Sequence, residues 1–167
     1  AAADPYVMGL YVADGCLSAE LQGVDIAFGH QAHTKHVHPS VFGWSREGRL
    51  KFLAGYFDGD GCLDTAGGTR YHGTLSANTV SRSLALDIKR LCASVGVCAS
   101  VSRCHNYEGH RRGDGFGKGL GDRVIYVITI GSSCSNAILT WCQRLRPHTK
   151  PPYGRGGSSI RLASDYM

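Results

Sequence analysis

The 167-residue chain has no apolar run approaching the roughly 18 residues that a membrane helix needs. Its first residues, AAADPYVMG, carry neither a charged leader nor a long apolar stretch, so no secretory signal is expected there. The seven cysteines (Cys16, Cys62, Cys92, Cys98, Cys104, Cys134 and Cys142) contain no CxxC pair, which argues against a zinc ribbon. Odd in number and scattered in mostly apolar contexts, they read as reduced, intracellular thiols. A calcium loop beginning at Asp58 is excluded, because Cys62, Leu63 and Thr69 stand where it needs an oxygen ligand, a glycine and a glutamate. Acids are also scarce: 13 Asp and Glu against 18 Lys and Arg leave a net charge of +5. That balance suits a polyanionic partner without identifying one.

The hydrophobic fraction of 43% is ordinary, and the length allows one sizeable core. Residues 6–13 read as a short apolar helix ending at Gly15, and residues 16–32 alternate loosely, as in a strand pair. The polar stretch 33–45, with Pro39, reads as a linker. Ser45 and Glu47 then start a helix that Gly61 stops. Residues 62–78 resemble a hairpin with Gly67-Gly68 near its tip. In the next helix Leu84, Ile88, Leu91 and Val95 recur at helical spacing, and Gly96 caps its end. Two strands, 97–105 and 123–131, flank a segment rich in glycine and charge, and 133–145 reads as a closing helix. From Glu47 onward the order is αββαββα. The expected packing is α+β, a four-stranded antiparallel sheet with helices on one face.

The stretch FLAGYFDGDGCLD (residues 52–64) gathers acids where an apolar helix stops, and YVMGLYVADGCLS (residues 6–18) echoes it. Gly55 and Gly59 lie four apart on one helix face, and Gly9 and Ala13 hold the same positions in the echo. Small residues at that spacing let two backbones approach closely, so the two helices are expected to face each other. Each delivers an aspartate, Asp14 or Asp60, near its last turn. A helix C-terminus disfavours negative charge, and two carboxylates there call for a divalent cation. Oxygen ligands suit Mg²⁺, and such a centre suits phosphodiester hydrolysis.

LAGYFDGDG (residues 53–61) resembles the signature of the LAGLIDADG homing endonucleases, and VMGLYVADG (residues 7–15) resembles a degenerate first copy. VFGWSREGRLKFLAGYFDGDG is similar to the endonuclease domains carried by inteins. The resemblance implies two motif helices packed at the centre of a saddle of antiparallel sheets on the major groove of double-stranded DNA. It implies a site-specific, double-strand DNA endonuclease, with Asp14 and Asp60 catalytic and binding metal beside Ala13 and Gly59. Mg²⁺ is the expected ion, with Mn²⁺ able to replace it and Ca²⁺ supporting binding without turnover. The earlier acid of the signature, Asp58, has Val12 as its counterpart, so Asp58 is expected to be structural or capping. The family adds a polar residue near the end of the second strand, where Ser76 and Asn78 fall, and a central lysine, for which no residue fits cleanly. Candidate DNA contacts are Arg70, His72, Ser76, Asn78, Arg111, Arg112, Lys118, Lys150 and Arg155. Arg70 and His72 are expected to share a strand face, with Tyr71 opposite.

The expected organisation is a degenerate or truncated first half with its linker (1–38), a complete second half (39–145) and a basic tail (146–167). Residues 16–51 are too few for a full first half, since four strands and two more helices need over ~40 residues before loops. Either further residues complete that half, giving a monomer of two pseudo-symmetric halves, or the chain self-associates. The chain neither begins with Cys or Ser nor ends in His-Asn, so a free or excised endonuclease is expected rather than a self-splicing unit. The alternative is a non-cleaving nucleic-acid-binding relic or RNA maturase of the same fold. The histidines His30, His33, His36 and His38 read as solvent-exposed. Cys98, Cys104, His105 and His110 read as strand thiols and a polar loop, with a zinc site as the competing reading.

Overall fold

In a computed structural model, the chain is described over residues 4–14, 32–65, 72–106 and 123–146. The first helix, α1 (Pro5–Asp14), starts where the Asp4 carboxylate accepts the Tyr6 N–H at 2.8 Å, with Pro5 at the first helical position. In α3 (Arg46–Asp60) the Ser45 hydroxyl accepts the Gly48 N–H at 3.1 Å, and Gly61 ends the helix with its N–H on the Phe57 carbonyl. Ser81 caps α4 (Arg82–Ser94) in the same way. Val95 ends that helix, and Gly96 follows with φ +80°, a left-handed conformation that glycine adopts without strain.

The strands β1 (Gly61–Leu63), β2 (Leu75–Thr79), β3 (Ala99–Asn106) and β4 (Arg123–Ile130) form one antiparallel sheet in the order β1-β2-β4-β3. Strand alternation divides its faces. Leu75, Ala77, Ile128 and Ile130 are buried, with Leu84, Ile88 and Leu91 of α4 in the same core. The other face carries Ser76, Asn78, Ser100, Ser102, Val127 and Thr129, aligned across strands by the register. From α3 onward the order is αββαββα, an α+β fold with helices on one side of the sheet.

Helices α1 and α3 cross backbone to backbone. A Cβ on Gly9 would overlap the Phe52 carbonyl oxygen and stand 2.7 Å from the Tyr56 nitrogen. A Cβ on Gly55 would overlap the Tyr6 carbonyl oxygen and stand 3.0 Å from the Leu10 nitrogen. Met8, Val12 and Ala13 of α1 belong to the same buried cluster as Leu53, Phe57 and Ile88, so α1 shares one core with the segments that follow.

Two expectations are corrected. Residues 33–45 are not a plain linker. They contain a short helix, α2 (Pro39–Phe42), capped by the His38 ring, and Val37 and Val41 are buried in the core. Valines four apart anchor this otherwise polar stretch. The closing helix is also shorter than expected: α5 (Ser132–Leu139) ends at Thr140. The chain beyond it turns because its N–H groups find a carboxylate instead of a helical carbonyl, as described below. The expected strand pair at 16–32 and the hairpin tip at Gly67-Gly68 lie outside the described residues, apart from Ala32.

Candidate active site

The C-terminal turns of α1 and α3 open into one cleft of about 310 Å³, lined by Ala13, Lys35, Asp60, Asn78, Thr79 and Ile125 among others. Asp60 is exposed, one residue before the glycine that ends α3. Asp14 is the last residue of α1. Helix C-termini carry partial negative charge and unpaired carbonyls, and the Asp60 carboxylate adds to that field. Cation-binding groups therefore converge here: carboxylate, peptide carbonyl and the Asn78 side chain. The donor set is all oxygen and fits a Mg²⁺-like ion.

Two basic side chains already engage these carbonyls. The Lys35 ammonium donates to the Ala13 carbonyl at 2.6 Å. The Arg144 guanidinium donates through Nη2 to the carbonyls of Gly61, at 3.1 Å, and Gly59, at 3.4 Å. Lys35 is held from behind, since the buried Ser81 hydroxyl that caps α4 donates to its carbonyl at 2.5 Å. Neither cation was a candidate from sequence. Lys35 lies in a polar stretch without periodicity, and its one sequence signal is its place just before the Val37 and Val41 anchor.

Asp58 faces away from this chemistry. Its Oδ2 accepts the N–H of Gln143 at 2.6 Å, the N–H of Arg144 at 3.0 Å and the Tyr6 hydroxyl at 2.8 Å, and its Oδ1 accepts the N–H of Leu145 at 2.8 Å. The earlier acid of the signature thus caps the chain leaving α5 and ties it to both motif helices. Burial pushes its carboxyl up. The N–H groups of Arg144 and Leu145, the Tyr6 hydroxyl and the Gln143 N–H outweigh that and hold it below the ordinary aspartate value. Burial and the Asp58 carboxylate in turn keep the Tyr6 phenol protonated.

A group whose folded pKa is depressed stabilises above its unfolded pKa, and that contribution is lost as pH falls through the folded value. Asp58→Asn, which places an amide against several donors, is expected to cost about 2–3 kcal/mol at pH 7. The gap from wild type narrows below about pH 4. Urea unfolding at pH 7, 5 and 3 measures it. A gap that does not change with pH would mean that the carboxylate's charge contributes nothing.

Among the sequence candidates, Ala13, Asp60 and Asn78 come together in the cleft, and Gly59 lies beside it under Arg144. Ser76 shares the open sheet face with Asn78, while His72 sits partly buried in the turn before β2. Gly9 and Gly55 form the helix crossing. Arg70, Tyr71, Arg111, Arg112, Lys118, Lys150 and Arg155 lie outside the described residues, as do His30 and His110. His38 accepts the Ser40 N–H as the cap of α2, and Cys98 and Cys104 are exposed free thiols. Among the described residues, no three His, Cys, Asp or Glu side chains are grouped to hold a metal, and no helix is long and apolar enough to cross a membrane.

A family model described as a LAGLIDADG-like domain matches residues 47–135, just over half of the chain. No curated protein matches it. The match runs from the first turn of α3 through the sheet into α5, the αββαββα unit itself. The chain belongs to the LAGLIDADG homing endonuclease family.

Proposed function

We propose that the protein is a site-specific endonuclease that hydrolyses both strands of duplex DNA with a divalent cation. The observation that carries this reading is the continuity of the Asp60 cleft with the open sheet face, through Asn78, which belongs to both. The family's character as nucleases and DNA binders supports it. Asp14 and Asp60 would hold Mg²⁺ with the carbonyls of Ala13 and Gly59. When bound, the ion lowers the pKa of a water and steadies the leaving oxygen. The chain's own residues do the rest. The small polar side chains Ser76, Asn78, Ser100, Ser102 and Thr129 leave room for base edges to approach the sheet. Lys35 places a positive charge at the cleft, where a scissile phosphate gathers negative charge. The basic candidates Arg70, Arg111, Arg112, Lys118, Lys150 and Arg155 would neutralise backbone phosphates on either side.

A plasmid-cleavage assay with Mg²⁺ on a library of candidate sites tests this reading. Linear product in Mg²⁺ or Mn²⁺, and binding with little hydrolysis in Ca²⁺, is the expected pattern. Binding without cleavage under all three ions would favour a non-cleaving nucleic-acid binder or RNA maturase, which the short interval between the motifs also favours. Binding is expected to weaken steeply with salt, and each true phosphate contact changed to alanine lowers the log–log slope by about 1. An unchanged slope for the double change Arg111→Ala, Arg112→Ala would remove that glycine-rich segment from the interface.

A further inference from the structure

We infer that Lys35 and Arg144 are resident cations of the metal centre, occupying the two peptide carbonyls a divalent ion would use and yielding them when the ion binds. The inference rests on the nuclease reading above. Ala13 and Gly59 hold equivalent places, each one residue before the last aspartate of its motif. Each carbonyl carries a basic side chain from outside the motifs, Lys35 on Ala13 and Arg144 on Gly59. A plain helix cap would place a cation anywhere in the last turn. Here Lys35 sits on the Ala13 carbonyl within the cleft that Asp60 lines, and Arg144 reaches the equivalent Gly59 carbonyl at 3.4 Å while resting nearer, at 3.1 Å, on that of Gly61.

Ion and ammonium exclude each other on physical grounds. Mg²⁺ sits about 2.1 Å from a ligand oxygen. An ammonium 2.6 Å from the same oxygen would then lie within about 5 Å of the ion, close enough for strong like-charge repulsion. Ion binding and Lys35 contact with Ala13 are therefore linked with negative sign, and the linkage is reciprocal. In the free protein the two cations neutralise the helix ends and hold metal affinity down. Duplex DNA offers them phosphate oxygens instead, so metal loading is favoured once DNA is in place.

Mn²⁺ titration of the DNA-free full chain, followed by electron paramagnetic resonance, tests the inference. Lys35→Met is expected to tighten Mn²⁺ binding about tenfold and Arg144→Met, whose contact is longer, about threefold. Reductive methylation of the wild-type chain, mapped by peptide mass spectrometry, gives a readout that does not depend on a variant folding: saturating Mn²⁺ is expected to raise Lys35 labelling about threefold. An affinity unchanged or weakened by Lys35→Met, or Lys35 labelling indifferent to Mn²⁺, overturns the inference. Where Asp60→Asn still abolishes Mn²⁺ binding, the nuclease reading survives that result. No Mn²⁺ binding by wild type or by either cation variant overturns both.

Discussion

Asp60→Asn is expected to abolish Mg²⁺-dependent cleavage of plasmid DNA, by about a thousandfold or more, while duplex binding persists. The substitution keeps the shape of the side chain and removes the charge that would hold the cation. Its effect on stability runs the other way. Asp60 is exposed at the C-terminal end of α3, where a negative charge opposes the helix dipole by about 0.3–1 kcal/mol, so the variant is expected to melt at or slightly above wild type. Lost activity without lost stability distinguishes a metal ligand from a structural residue. Asp14→Asn is expected to be nearly as damaging, since the two acids would serve opposite strands. Gel analysis of supercoiled, nicked and linear plasmid follows both. Cleavage by Asp60→Asn at the wild-type rate would show the assignment to be wrong.

Gly55→Val and Gly9→Val are each expected to remove a large share of the folding stability. Elsewhere in a helix, replacing glycine by alanine removes a propensity penalty of about 1 kcal/mol, and replacing it by valine removes part of that. Here that gain is overwhelmed, because the new Cβ meets backbone, the Tyr6 carbonyl in one case and the Phe52 carbonyl in the other. No flexible side chain can turn aside, so α1 and α3 must separate and uncover Met8, Val12, Leu53 and Phe57. Overpacking of this kind costs about 3 kcal/mol or more, against a total of roughly 5–15 for a typical domain. Gly131→Ala is the control. Its added Cβ meets nothing within 4 Å and its φ of −65° is ordinary, so its effect should stay near the ~1 kcal/mol of a lost N-cap residue, well below the two valine variants. Guanidinium unfolding by circular dichroism compares the three, and equal midpoints would rule out the close helix crossing.

The cleft held both legible and hidden parts. Asp60 was legible because a small-residue face and a terminal Asp-Gly are local patterns that occur twice in the chain. Asn78 was legible through the family resemblance, which calls for a polar residue near the end of the second strand, and the structure puts it on the face opposite Ala77. Lys35 was not. Nothing in the polarity of AHTKH (residues 32–36) singles out this lysine until Val37 and Val41 are known to be buried and Ser81 is known to hold its carbonyl. Asp58 was legible as a non-catalytic acid from the valine at its counterpart, but its partners were hidden 52 to 87 residues away.

The sequence by itself determined the αββαββα order, the caps at Ser45 and Ser81, the facing glycines and the paired terminal aspartates. Each of these depends on neighbours within a few residues, where capping geometry, helical spacing and strand alternation operate. Only the tertiary structure decided which cations sit on the Ala13 and Gly59 carbonyls, that the stretch around Pro39 joins the core, and that the chain after Leu139 leaves its helix for the Asp58 carboxylate. Those contacts form because burial of the shared core carries distant segments to one place, and the unpaired carbonyls and N–H groups there take whichever partner the packing delivers.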